Sequence, residues 1–167
     1  MSLAILPGSY DPMTLGHLDL VVRALEEYDE AVVAVMVNPQ KQTLFDMETR
    51  VEIAKRTVAH LPRVRMISDT GMLIDLFDRL GADAVCKGYR NRKDYDYETE
   101  MAEWNVRHNP RFRTVLYEAD GDRQDLSSTE VRARLAKGES LDGLVHPNAL
   151  SLILERMKWE NYDQRKV

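Results

Sequence analysis

The chain has 167 residues, 44% of them hydrophobic and 31% charged, which excludes a disordered or fibrous protein and suits one globular domain over residues 1–167. Its net charge of −5 argues against bulk binding to nucleic acid or to an anionic membrane. A lone cysteine, Cys86, excludes an internal disulfide framework, and no apolar run nears the roughly 18 residues of a membrane span. Met1-Ser2-Leu3 carries no charged leader, so a cytoplasmic protein is expected.

Leu3-Ala4-Ile5-Leu6 reads as a buried strand, and Leu18, Val21, Val22 and Leu25 recur at helical spacing after it. Ala31 to Val37 is a continuous β-branched run, the pattern of a strand covered on both faces, stopped by Asn38-Pro39. Asp46 to Leu61 reads as a helix with Val51, Ala54, Val58 and Leu61 on one side, and Val64 to Ile67 as a strand. Leu73, Leu76, Phe77 and Leu80 form another helical face, ended by Gly81. Ala84-Val85-Cys86 is a fourth strand bounded by Gly88, Asp94 to Arg107 a helix, and Thr114 to Tyr117 a fifth strand. Ser127-Ser128-Thr129-Glu130 is a capping box opening a helix that stops at Gly138. Asn148 to Trp159 is a last helix with Leu150, Ile153, Leu154 and Met157 on a face, and the polar tail from Lys158 is expected to fray. Five strands separated by helices predict an α/β fold with a doubly wound, five-stranded parallel sheet.

Such a sheet binds ligands beyond the carboxyl ends of its strands. The loop after Leu6 is unusual: Gly8 and Gly16 permit close backbone approach, Ser9 offers a hydroxyl, and His17 enters the first turn of a helix, which favours an anion. Ser127 to Thr129 open another helix N-terminus with hydroxyls, a second place for an anion. His60, His108 and His146 stand without partners at metal spacing and read as surface or cap residues, and Cys86 reads as buried filler.

Gly8-Ser9-Tyr10-Asp11-Pro12 with Thr14-Leu15-Gly16-His17 resembles the T/HxGH motif of the nucleotidyltransferase superfamily, and Leu126-Ser127-Ser128-Thr129-Glu130-Val131-Arg132 resembles its I-S-S-T-x-x-R signature. Class-I aminoacyl-tRNA synthetases share these positions but need large additional domains that 167 residues cannot hold. Asn38 to Phe45, Lys87-Gly88-Tyr89-Arg90, Asp94 to Glu98, Met101-Ala102 and Asn105 extend the likeness to phosphopantetheine adenylyltransferases, from Leu3 to about Leu154.

The resemblance implies a Rossmann-like nucleotidyltransferase fold and adenylyl transfer from ATP to 4′-phosphopantetheine, giving dephospho-coenzyme A and pyrophosphate. It also implies Mg²⁺ held by substrate phosphates and water, a homohexamer, and coenzyme A as a feedback inhibitor. Carried over by matched position, His17, Lys41 and Arg90 would be catalytic. Ser9, Tyr10, His17, Gly88, Tyr89, Arg90, Glu98, Arg123, Gln124, Asp125, Leu126, Ser127, Ser128 and Thr129 would bind ATP. Ser9, Lys41, Leu73 and Lys87 would bind the acceptor.

Three positions depart from the family pattern. Lys87 stands for the usual Arg and lacks its bidentate fork, Ser9 stands for Thr, and Asp125 replaces an aromatic or apolar residue. The alternatives are a nicotinate or nicotinamide mononucleotide adenylyltransferase, a cytidylyltransferase, or a nucleotide-binding regulator without chemistry.

Overall fold

The structure, a computed structural model, describes residues 1–119 and 126–165. Five parallel strands, β1 (Leu3–Gly8), β2 (Glu30–Met36), β3 (Val64–Asp69), β4 (Ala84–Tyr89) and β5 (Thr114–Glu118), form one sheet in the order β3-β2-β1-β4-β5. The helices α1 (Leu15–Glu27), α2 (Met47–Val58), α3 (Leu73–Leu80) and α4 (Arg92–His108) make the crossovers, and α5 (Ser128–Lys137) and α6 (Pro147–Arg165) follow. The predicted doubly wound parallel sheet is therefore the observed one.

Period-2 alternation of the strands sorts their side chains between two cores. Ala4 and Leu6 of β1, with Ala31, Val33 and Val35 of β2, pack with Val21 and Ala24 of α1 and with Ala54 and Val58 of α2. Leu3, Ile5, Val32 and Ala34 face the other way, onto Leu76 and Phe77 of α3. A third cluster stands apart, where Phe45 and Ile53 meet Val131 of α5, Ile153 of α6 and Leu144 between them. Full burial of Phe45 contributes about 1.5–3 kcal/mol and anchors the end of the β2–α2 loop.

Chain order reverses between β1 and β4, which are neighbours in the sheet, so the loops that follow these two strands part and leave a crevice. Several boundaries differ from expectation. β4 does not stop at Gly88 but pairs with β5 through Gly88 and Tyr89, because an edge-strand partner satisfies its backbone groups. α4 starts at Arg92, since Asn91 accepts from the Asp94 N–H and caps it earlier than the apolar spacing suggests. Val22 and Leu154, expected on buried helix faces, are 38% and 44% exposed. α6 runs from Pro147 to Arg165, beyond the Trp159 end expected from the apolar spacing.

Candidate active site

A cavity of about 820 Å³ opens at the carboxyl ends of β1 and β4. Its lining brings together Ser9, Tyr10 and His17 from the β1–α1 loop and α1, Lys41 from the β2–α2 loop, Lys87 to Arg90 from β4 and its exit, Glu98 from α4, and Leu126 to Thr129 before and within α5. Arg123, Gln124 and Asp125 lie outside the described residues. Leu73 is elsewhere: it lines a second cavity of about 440 Å³ with Met101, Trp104 and Asn105. Tyr97 lines both cavities, which makes them neighbours.

The β1–α1 loop is built by internal hydrogen bonds. Tyr10 sits at φ +49, in the left-handed region, and its hydroxyl donates to the Leu6 carbonyl at 2.6 Å. Burial pushes that hydroxyl's pKa upward. The Tyr10 hydroxyl is therefore spent inside the loop rather than offered to a nucleotide, while the ring packs edge-on against His17 at 4.9 Å between centroids.

His17 is the third residue of α1 and completes a capping box with Thr14: the His17 N–H donates to Thr14 Oγ1, and the Thr14 N–H donates to His17 Nδ1 at 2.9 Å. That second bond settles the tautomer, since an accepting Nδ1 leaves the proton on Nε2. Loss of water around the ring, with the Arg90 guanidinium adding to it, lowers the His17 pKa from 6.5 to about 4. At neutral pH the site therefore holds a neutral imidazole with one N–H donor.

The helix N-termini differ. At α1 the Leu15 N–H donates to the Leu144 carbonyl and the His17 N–H to Thr14, so little of that end remains for an anion. At α5 the Ser127 hydroxyl accepts from the Glu130 N–H, and among the described residues no group accepts from the Ser128 and Thr129 N–H groups at the cavity. The sequence offered both ends as anion sites; among the described residues, α5 leaves more donors for one. Close backbone approach joins the two: the Thr14 hydroxyl donates to the Leu126 carbonyl at 2.8 Å, the Ser128 hydroxyl to the Pro12 carbonyl at 2.7 Å, and a Cβ on Gly16 would stand 3.0 Å from the Leu126 oxygen.

The charged groups of the cavity are arranged in pairs. Lys87 Nζ lies 2.9 Å from Glu98 Oε2, so a residue read as an acceptor contact and one read as a nucleotide contact form a single ion pair. Arg90 Nε lies 3.2 Å from Asp94 Oδ2. Cys86 lines the cavity as a buried thiol whose pKa desolvation raises to about 11, which fits the filler reading. Among the described residues, six basic side chains (Arg23, Lys41, Lys87, Arg90, Lys93 and Arg132) and four acidic ones line the space, a cationic excess in an anionic chain. Such a lining suits a phosphorylated ligand.

Three contributors were not singled out from sequence. Asp11 and Arg50 are each only 4% exposed and fix loop backbones, and Arg132 donates to the Asp11 carbonyl at 2.8 Å. Arg50 carried a usable signal, because residues 50, 53, 54 and 57 share one buried helix face and a charge there must have a partner.

Residues 5–134 match the cytidylyltransferase-like family. A phosphopantetheine adenylyltransferase of Clostridium kluyveri is 38% identical over 156 residues, covering 93% of this chain and 95% of its own length. One from Limosilactobacillus fermentum is 38% identical over 173 residues, covering 99% of this chain and 100% of its own, and one from Heliobacterium modesticaldum is 37% identical over 93% of both. The sheet order, the cavity at its switch point and these full-length identities agree: the chain belongs to the phosphopantetheine adenylyltransferase family of nucleotidyltransferases.

Proposed function

We propose that the chain transfers the adenylyl group of ATP to 4′-phosphopantetheine, releasing pyrophosphate and forming dephospho-coenzyme A, a step of coenzyme A synthesis. One observation carries the chemistry: a neutral His17 whose Nδ1 is held by the Thr14 N–H and whose remaining nitrogen is a donor at the cavity. A phosphate oxygen of the acceptor attacks the α-phosphorus in line. The new P–O bond forms as the bond to the β-phosphate oxygen breaks, and pyrophosphate leaves. The attacking phosphate, with its second pKa near 6, is largely dianionic at neutral pH and needs no general base.

Catalysis is then positioning and electrostatics. His17 Nε2–H donates to the α-phosphoryl oxygens as their charge grows; Arg90 and Lys41 add positive charge. The Ser128 and Thr129 N–H groups receive the outer phosphates, as a helix N-terminus does. Gly88 and Tyr89 border the nucleotide, with Leu126. Lys41 and Lys87 meet the acceptor phosphate, Lys87 being released from Glu98 as the phosphate replaces the carboxylate. The neighbouring cavity, with Leu73, Met101 and Asn105, takes the pantetheine arm, an apolar slot with an amide for an amide-bearing chain.

Among the described residues no cluster of three His, Cys, Asp or Glu side chains could hold a metal ion, and the cavity's Asp94 and Glu98 are paired with cations. On the family likeness, Mg²⁺ would come with ATP, held by its phosphates and water as part of the substrate. Among the described residues no helix is long and apolar enough to cross a membrane. The family likeness further supports a cytoplasmic homohexamer inhibited by coenzyme A, whose pantetheine arm would occupy the same slot.

The test is pyrophosphate release from ATP and Mg²⁺ with and without 4′-phosphopantetheine. Acceptor-dependent release is expected. Release with nicotinamide mononucleotide or with CTP and a sugar phosphate, but none with 4′-phosphopantetheine, would overturn the reading.

A further inference from the structure

Lys41 lies on an exposed stretch, residues 38–42, whose internal structure is slight. Asn38 turns it, accepting from the Gln40 N–H with its side chain and from the Lys41 N–H with its carbonyl, each at 3.0 Å. Nothing in that turn fixes where Lys41 stands relative to the β1–α1 loop. The bonds that do so come a few residues later. The Asp11 carboxylate accepts from the Leu44 N–H at 2.8 Å and from the Phe45 N–H at 2.9 Å. Arg50, from α2, donates through Nε to the Phe45 carbonyl at 3.1 Å and through Nη1 to the Ser9 carbonyl at 2.8 Å.

Phe45 thus has both backbone groups held from opposite sides, one by the β1–α1 loop and the other by a buried cation that also holds that loop. The brace extends to the far wall, since Arg132 of α5 donates to the Asp11 carbonyl and, through Nη2, to the Thr129 hydroxyl at 3.2 Å. Three loops that would touch three parts of the reacting pair meet at Asp11.

We propose that Asp11 and Arg50 are positioning residues that set the β2–α2 loop, and with it Lys41, against the β1–α1 loop, so that acceptor binding depends on them more than nucleotide binding does. Two features favour this over a merely structural brace. The bonds go to backbone groups of the loop that carries Lys41, and they cross between two walls of the cavity rather than within one element. A displacement of about 1 Å in a positioning group is enough to cost a large factor in rate. The proposal rests on the adenylyl-transfer reading for its substrate.

The test uses the full chain and the variants Asp11→Asn and Arg50→Lys. Asn keeps one accepting oxygen but turns an NH₂ toward the other backbone N–H. Wild-type release is measured first, because absence of acceptor-dependent pyrophosphate would defeat the adenylyl-transfer reading itself and the proposal with it. Given that activity, Asp11→Asn is expected to raise the acceptor KM about tenfold or more with the ATP KM within about threefold, the size of one disturbed buried hydrogen bond. Arg50→Lys is expected to move the same constant in the same direction. Amide hydrogen exchange at Leu44 and Phe45 should quicken while α1 stays protected. Equal rises in both KM values, no change in either, or failure of both variants to fold would assign the pair to stability alone and overturn the proposal.

Discussion

Around the β1–α1 loop and α5, Tyr10 and Thr14 are buried, the His17 ring is fixed by a backbone donor, and the β1–α1 loop meets α5 and the residue before its cap through three side-chain-to-carbonyl bonds. Across the cavity, the loop carrying Lys41 is exposed from residue 37 to residue 42, and among the described residues the Lys87 and Arg90 side chains pair with carboxylates that themselves border the space. The first wall is set before any ligand comes, as electrostatic stabilisation of a transition state requires. The second keeps its cations in exchangeable pairs, which suits a phosphate that must enter and leave. On the proposed reaction, the His17 donor is preorganised where charge develops, while Lys41, Lys87 and Arg90 stand on the adaptable wall, where phosphates enter and leave.

The comparison breaks most sharply at His17. His17→Ala is expected to lower kcat by about 10²–10³, the scale of one preorganised donor. Because His17 also completes a helix cap, the variant should lose about 0.5–2 kcal/mol of stability, far too little to unfold a domain. Initial rates beside a denaturant titration separate the two effects; full kcat would remove the assigned role. A pH series adds an independent check. The folded pKa of about 4 lies below the 6.5 of an exposed imidazole, so the unfolded chain takes up the proton first. His17 therefore costs stability as pH falls from about 6.5 toward 4, and the Ala variant should lose less stability than wild type over that interval. An identical acid slope in both proteins would contradict the desolvated, neutral imidazole.

On the adaptable wall the effect should be on binding. Lys41→Ala removes a charge-assisted contact, of the order of 1.5–3 kcal/mol, and should raise the acceptor KM about 10- to 150-fold. The ATP KM should move much less, because the proposed partner of Lys41 is the acceptor phosphate. Steady-state kinetics with each substrate varied in turn give the answer; equal changes in both constants would mean that the two walls do not divide the work.

Smaller again is a change at the seam of the rigid wall. An added methyl at Gly16 meets the Leu126 carbonyl at 3.0 Å and the Leu126 Cβ at 3.3 Å, so α1 or the chain entering α5 must shift. Gly16→Ala is expected to cost about 1–3 kcal/mol of stability and to weaken ATP binding. At Gly88 the nearest atom, 2.9 Å away, is Cδ1 of Leu20, the far end of a side chain that can turn aside. A thermal melt of Gly16→Ala that matches wild type would show that this seam is not tight.

Much of this was legible in the chain. The β-branched run of β2 and the glycine-bounded loop after β1 announce a parallel sheet and its ligand end, because periodicity and turn chemistry are local. Ser9, His17, Arg90 and Ser127 to Thr129 fall together in the cavity for the same reason: each sits at the exit of a strand or the start of a helix. What the sequence hides is how those residues are partnered. That Thr14 fixes the His17 tautomer, that Tyr10 spends its hydroxyl on Leu6, and that Lys87 pairs with Glu98 are facts of tertiary distance. Leu73 shows the same limit, since its helical spacing is equally that of a core residue and only the fold sets it in the second cavity.

The smallest expected effect sharpens the contrast by being nearly nil. Arg92 and Asp96 form an exposed i,i+4 ion pair on α4, with side chains 84% and 60% exposed and Nε 2.9 Å from Oδ1. It resembles the Lys87–Glu98 pair in chemistry and differs in place, because neither member lines the cavity. Exposed pairs gain little from their Coulomb attraction in water and lose side-chain freedom to form, for a net of about 0.3–0.5 kcal/mol. Arg92→Ala should therefore shift the unfolding midpoint barely beyond error and leave both KM values alone. A large kinetic effect from Arg92→Ala would mean that α4 acts on the acceptor wall as a whole, and the ion pairs bordering the cavity would lose their special standing.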